Sequence, residues 1–164
     1  MFIPVTTDNH IEDVESLARE IWTEHYTPII GKGQVDYMLG TFQTRNAIAG
    51  QIRAGAMYYL IREKETFIGY LAVQPKTDEL FLSKIYVRRS KRGRGYGRKA
   101  VQFVEALARE GGFRKIALTV NKNNTDSIRA YEKFGFVSTG GLVQDIGGGF
   151  VMDDYRMEKN VHAA

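Results

Sequence analysis

The chain has no cysteine among its 164 residues, so it has no disulfide framework, no thiolate metal site and no cysteine nucleophile. Its three histidines, His10, His25 and His162, are too scattered to form a metal site, and no metal is expected. No apolar run approaches the ~20 residues of a membrane span. The amino terminus also lacks the basic stretch and apolar core of a signal peptide. A cytoplasmic protein without a membrane partner is the expectation. There is no internal repeat or low-complexity tail, and the length suits a single domain over residues 1–164.

Acids are also missing locally. Residues 88–99 hold seven bases and no acid, while the rest of the chain has 16 bases against 19 acids. The net charge of +4 is thus one basic spot on a mildly acidic protein. That distribution points to a localised anionic ligand more than to a surface that coats nucleic acid.

The first part of the chain is helical by pattern. Asn9 and Glu12 have the spacing of a capping box, and Ile11, Val14, Leu17, Ala18, Ile21, Trp22 and His25 then recur as one apolar stripe. This helix is expected to fade near Thr27-Pro28. Gly31-Lys32-Gly33 reads as a loop. Val35, Met38, Leu39 and Phe42 begin a second helix that either ends near Gly40 or continues, broken, through Ile48 and Ile52. From Ala56 the pattern changes to strands at 57–62, 67–73 and 80–87 with short polar links. A helix over 97–110 ends at Gly111-Gly112, a strand follows over 113–120, and a short helix over 125–134 is closed by Gly135. Strands are expected at 136–138 and 150–158, with Gly140-Gly141 and Gly147-Gly148-Gly149 as turns between them. Strand-helix-strand units after an antiparallel meander imply an α/β fold with a central mixed sheet flanked by helices.

Most of the chemistry is expected where the third strand enters the basic stretch. Ile85-Tyr86-Val87 leads into Arg92-Gly93-Arg94-Gly95-Tyr96-Gly97-Arg98, a glycine-rich turn that opens a helix. Unpaired amides and the positive end of the helix dipole then face one point, which suits a phosphate or pyrophosphate. No Gly-Lys-Ser/Thr follows, so this is not a P-loop. Arg98 stands where the dinucleotide fingerprint needs its third glycine.

At these residues the chain resembles the GNAT superfamily of N-acetyltransferases, whose cofactor loop reads Gln/Arg-x-x-Gly-x-Gly/Ala after a strand. Asn124-Thr125-Asp126-Ser127-Ile128-Arg129-Ala130-Tyr131-Glu132-Lys133-Phe134-Gly135-Phe136 is similar to a second family segment, with Ser127 where alanine is more usual. The resemblance implies a GNAT-like fold, acetyl-CoA as cosubstrate, and a cofactor wedged between two splayed strands. It implies that the backbone of Ile85, Tyr86 and Val87 pairs with the pantetheine arm, and that Arg92, Gly93, Arg94, Gly95, Tyr96, Gly97 and Arg98 cradle the pyrophosphate. Asn124, with Ser127 beside it, would bind the pantetheine, and Lys133 would reach the 3′-phosphate. Tyr131 would be the general acid, since a phenol with pKa ~10 is protonated at neutral pH and can donate to a departing thiolate.

The base is less clear. Thr119 stands where ribosomal-protein alanine acetyltransferases place a glutamate. Glu79 is the tentative base, with Glu24, His25, Asp153, Asp154 and a water relay as alternatives. Without cysteine, direct transfer in a ternary complex is expected. The segment from Ile21 to Leu39 and the ending from Gly149 to Lys159 are similar to bacterial small-molecule members that include polyamine acetyltransferases. Acids at Glu20, Glu24, Asp153 and Asp154 would attract a cationic amine. Trp22 and Tyr26 read as core or as the rim of an acceptor pocket. Protein amino-terminal acetylation, a nucleic-acid-binding module built on the basic turn, and homodimerisation through the last strands stay open.

Overall fold

The computed structural model describes residues 1–161, and His162 lies outside them. Its elements run β1 (Phe2–Pro4), α1 (Asp8–Ile30), α2 (Lys32–Phe42), α3 (Arg45–Arg53), β2 (Met57–Glu63), β3 (Thr66–Pro75) and β4 (Glu79–Val87). After a 3₁₀ turn (Arg89–Lys91) come α4 (Tyr96–Glu110), β5 (Lys115–Asn121), α5 (Thr125–Lys133), β6 (Val137–Gly147) and β7 (Phe150–Asn160). The chain forms two compact units. One comprises Met1–Gln74 and Lys84–Ala100, and the other Pro75–Ser83 and the chain from Val101 onward. Both β4 and α4 are therefore divided between the units.

In the first unit β1 and β3 pair antiparallel with the two edges of β2, in registers that include Phe2↔Ile61 and Leu60↔Tyr70. Residues Ile68 to Val73 of β3 are all buried, as a short apolar run in the middle of a sheet should be. Helix α1 lays Val14, Leu17, Ala18, Ile21 and Trp22 into the core. Its cap is Thr7, whose hydroxyl accepts from the His10 N–H at 3.1 Å, and Asn9 lies inside the first turn, so the capping box expected at Asn9 does not form. Pro28 does not stop the helix. It sits in the last turn, and the end comes at Gly31, whose φ of 85° takes the chain out of the helix. Lys32 and Gly33 already belong to α2.

The ambiguity over Gly40 to Ile52 resolves into two helices parted at Gln43-Thr44. The buried Gln43 side chain donates to Phe42 O (2.6 Å) and to the Tyr58 hydroxyl (3.1 Å), and it accepts from the Tyr70 hydroxyl (2.7 Å). Thr44 then caps α3 by accepting from the Ala47 N–H at 3.2 Å. A helix interrupted by its own inward-turned amide is invisible to apolar periodicity.

In the second unit β4 pairs parallel with β5 over Glu79–Phe81 and Lys115–Ala117, and β5 and β6 pair antiparallel with the two edges of β7. The order there is β4-β5-β7-β6, so the sheet is mixed, as expected. Leu80, Ile116, Leu118, Phe136 and Met157 form this unit's core. One expectation fails: Gly140-Gly141 is not a turn but lies within the 11-residue strand β6. The register of β6 against β7 slips between Ser138 and Gly140, where Gly140 has φ 142°. A full-length partner strand absorbs the glycines as a bulge, which local propensity could not reveal. No helix among the described residues is long and apolar enough to cross a membrane.

Gly69 on β3 shows how close the backbones come in the first unit. A Cβ there would stand 2.2 Å from Tyr86 O and 3.0 Å from the Val87 Cα. Backbone cannot yield as a flexible side chain can, so Gly69→Ala should destabilise the protein by about 1–3 kcal/mol in urea denaturation. An unchanged midpoint would mean that the two strands part freely.

Candidate active site

Strand β4 leaves the sheet at Val87, and the Arg88 N–H donates to Ile68 O at 2.7 Å, which fixes the exit of the chain. The 3₁₀ turn follows, then Gly93 and Gly95 with φ of 76° and 85°, and α4 starts at Tyr96. Both glycines occupy the left-handed region that other residues avoid, and nothing lies within 4 Å of where their Cβ atoms would be. The helical ladder begins with Lys99 N–H donating to Gly95 O at 3.1 Å, so the amides before it point out of the helix end, an arrangement that can hold an anion.

The basic side chains of this turn do not all project freely. The Arg92 Nε donates back to Val87 O at 3.0 Å. Glu63, at the end of β2, accepts from Lys91 Nζ at 2.7 Å and from the Tyr96 hydroxyl. These two bonds hold the Glu63 carboxyl below its usual range, and the carboxylate in turn raises the Tyr96 phenol. One carboxylate thus grips the basic turn on both sides of its glycines. Arg88 lies 3.1 Å from Glu20 of α1.

Ile85, Tyr86 and Val87 fall in the last part of β4, next to this turn. The Tyr86 ring packs at centroid distances of 5.5 Å from Trp22, 6.0 Å from Tyr26 and 5.5 Å from Tyr70, and its hydroxyl is 3.2 Å from that of Tyr26. Trp22 is core, whereas Tyr26 is partly exposed. Lys84, one strand repeat before Tyr86 and on its face, lies over the Tyr58 ring at 5.7 Å. Burial pushes the Lys84 amine down to about 8 and the Tyr58 phenol up to about 12.

The second unit carries the other expected residues. Asn124 follows β5 in a tight turn, with its N–H donating to Asn121 O at 2.9 Å. It is buried at the head of α5, yet its side chain does not cap the helix. At 3.6 residues per turn, Asn124, Ser127 and Tyr131 form one stripe of α5, while Lys133 projects about half a turn away. The Tyr131 ring packs on Phe136 at 5.8 Å, and Tyr131 O accepts from the Phe136 N–H at 3.0 Å. Lys159 bonds Phe134 O and Glu105, both at 2.6 Å, and so satisfies the carboxy-terminal end of α5.

Glu79 is engaged. It accepts from Arg156 Nη2 at 2.6 Å, Arg156 also reaches Glu158 at 3.0 Å, and Glu158 pairs with Lys115 at 3.1 Å. Asp153 pairs with Lys122 at 2.9 Å. Asp154 differs from both: it is 1% exposed and its Oδ1 has no hydrogen-bond partner. Burial, with the Asp153 charge beside it, pushes its carboxyl up to about 6. Asp154 pairs with Asn121 across β5 and β7, at the end of β5 that leads to Asn124. The sequence signal was an acid within an apolar strand, but the doublet Asp153-Asp154 did not show which of the two faces inward.

The model of the acetyltransferase (GNAT) family matches residues 14–136. The chain belongs to the GNAT acetyltransferase family. As such it is an acetyl-CoA-dependent N-acetyltransferase. Its fold is similar to that of PaiA N-acetyltransferase of Thermoplasma acidophilum in complex with coenzyme A, with 18% identity, 95% of this chain and 96% of that one covered, and TM-score 0.75. A GNAT structure from Rhodopseudomonas palustris superposes with TM-score 0.82 at 14% identity, covering 98% and 94% of the two chains. The ribosomal-protein-S18-alanine N-acetyltransferase of Escherichia coli does so with TM-score 0.74 at 14% identity, covering 100% and 95%. No curated protein sequence matches the acetyltransferase. Among the described residues, no group of three His, Cys, Asp or Glu side chains is placed to hold a metal ion.

The raised Asp154 value has a consequence for stability. The folded state holds this proton more tightly than the unfolded chain, whose aspartates titrate near pH ~4, so the contribution is complete below that pH and is lost as pH rises through about 6. Asp154→Asn should therefore exceed the wild type at pH 7.5 by on the order of 2 kcal/mol and match it near pH 4. Urea denaturation across that range checks this, and a pH-independent difference would contradict it.

Proposed function

We propose that this acetyltransferase moves the acetyl group of acetyl-CoA directly to a primary amine of a small molecule, in the cytoplasm. The observation that carries the cofactor half is the Gly93–Gly95 turn at the head of α4, open where Cβ atoms would stand and gripped by Glu63. With Arg92 turned back to Val87 O and the Tyr96 hydroxyl on Glu63, the amides of the turn and Arg94 are the groups best suited to the pyrophosphate. The backbone of Ile85 to Val87 suits the pantetheine arm, and one of its N–H groups can stabilise the thioester oxygen as it gains charge. The buried amide of Asn124, unused as a helix cap, suits the pantetheine amides, with Ser127 on the same stripe. Lys133 projects away from that stripe, which disfavours it as the 3′-phosphate ligand.

When bound, acetyl-CoA supplies an activated thioester. The acceptor arrives as ammonium and must lose a proton before it can attack. Asp154, buried, unpartnered on Oδ1 and titrating near neutrality, is better suited to take that proton than Glu79 in its ion pair. Tyr131 donates to the departing thiolate. With no cysteine in the chain, no cysteine-bound acyl intermediate is available.

A small acceptor is favoured by the half-buried Tyr26 and Tyr86 rings on the face of β4 beneath α1, which the core residues Trp22 and Tyr70 back. Two of the four acids that suggested a polyamine are engaged: Glu20 meets Arg88 and Asp153 meets Lys122. A homodimer through β6 is supported by that strand's exposure along nearly its whole length and by Val137 and Val143, 66% and 64% exposed. Val143→Lys should then yield monomers in sedimentation velocity, whereas a wild type already monomeric would overturn the dimer.

Thiol release should occur with small primary amines and not with short peptides, and turnover of peptides alone would overturn the small-molecule reading. Tyr131→Phe should lower kcat by about a hundredfold while leaving the acetyl-CoA Kd nearly unchanged. Comparable losses in both would assign Tyr131 to packing or binding instead.

A further inference from the structure

Lys84 is a group of the β4 face whose chemistry neither the proposed cofactor site nor the described hydrogen bonds use. Among the described residues its ammonium makes no hydrogen bond and no ion pair; its interaction is with the Tyr58 ring. The neighbouring polar groups are committed to one another. The Tyr58 hydroxyl donates to Gln51 Oε1 at 2.5 Å and accepts from Gln43, the Tyr70 hydroxyl donates to Gln43 Oε1, and the Gln51 amide donates to Phe42 O at 2.8 Å. This closed network leaves the ammonium without a protein acceptor among the described residues, on a half-buried side chain that solvent and a ligand can still reach.

The position matters as much as the missing partner. Lys84 directly precedes Ile85 to Val87, the segment assigned above to the thioester arm, and shares its face with Tyr86, about 7 Å along the strand. A molecule of amino-acid size can span that distance. With its amine pushed down to about 8 by burial, Lys84 is still mostly cationic at neutral pH, so it attracts an anion and repels a second cation.

We propose that Lys84 is a specificity-determining residue that receives a carboxylate of the acceptor, so that the acceptors of this enzyme are small amino-carboxylates in preference to polyamines. The proposal rests on the acetyltransferase reading of the β4 face and narrows its acceptor. A carboxylate set against the ammonium, in an aromatic surround, gains charge-assisted hydrogen bonds that the decarboxylated amine cannot make. A polyamine would place a further positive charge beside an ammonium that has no counter-ion.

The test compares acceptors that differ only in the carboxylate, phenylalanine against phenethylamine and ornithine against putrescine, in wild type, Lys84→Met and Lys84→Arg, with an acetyl-CoA thermal shift run on each protein. Wild type should favour the carboxylated member of a pair by at least about tenfold in kcat/KM, the value of a charged hydrogen bond. Lys84→Met should lose that preference through the carboxylated member alone, Lys84→Arg should keep most of it, and the acetyl-CoA shift should be unchanged in all three. Preference for the decarboxylated amines, no turnover of either carboxylated member, or equal losses on both members in Lys84→Met would each overturn the proposal. Absence of the acetyl-CoA shift in wild type would instead overturn the cofactor site on which it rests.

Discussion

The approach of the β3 backbone to β4 at Gly69 sets the position of much of the first unit. With no side chain between them, Gly69 lies against the Tyr86 carbonyl, and the amide two residues on, from Arg88, bonds to Ile68 O. Tyr86 is thereby fixed with its ring against Trp22, Tyr26 and Tyr70. The chain leaves the sheet at one defined point, two residues before the 3₁₀ turn and six before Gly93. A side chain at 69 would move the strand that carries Lys84 to Val87 and the start of the basic turn together.

The basic turn itself is arranged by acids from elsewhere in the first unit. Glu63 reaches both Lys91 and Tyr96, and Glu20 reaches Arg88. These exposed or half-exposed pairs contribute little to global stability. Their effect is on geometry: they hold the flanks of a turn whose centre, Gly93 to Gly95, has no side chain to hold it. The second unit treats its acids differently. Glu79, Glu158 and Asp153 each face a base, while Asp154 is buried without one on Oδ1. Asp154 in the second unit and the half-buried Lys84 in the first each lack a hydrogen-bonded counter-ion among the described residues, as is common where a protein binds or reacts.

Much of the architecture was legible in the chain. The strands at β2, β3 and β4 come from apolar runs cut by polar turns, and the ends of α4 and α5 from Gly112 and Gly135, both at positive φ. The cofactor motifs were legible because their chemistry is local: a glycine turn needs its own glycines, and Asn124, Ser127 and Tyr131 share a stripe by helical spacing alone. Asn9 looked like a helix cap, but Thr7 has the extended backbone a cap requires. Gly140-Gly141 looked like a turn, but pairing with β7 made it strand. The break at Gln43 depends on two tyrosines, Tyr58 and Tyr70, that lie 15 and 27 residues downstream.

The sequence by itself determined the class of fold, the glycine turn at the head of α4 and the likeness to the acetyltransferase family, because each rests on periodicity or on residues close together in the chain. Only the tertiary structure decided which charged groups are available. Seven bases within residues 88–99 look equivalent in sequence, yet contacts with Glu63, Glu20 and Val87 O engage Lys91, Arg88 and Arg92. Glu79 and Asp154 both looked like possible bases, yet one meets a guanidinium and the other meets none on Oδ1. Burial and counter-ions come from residues distant in the chain, and they set the energy of a charge that the residue's identity alone leaves open.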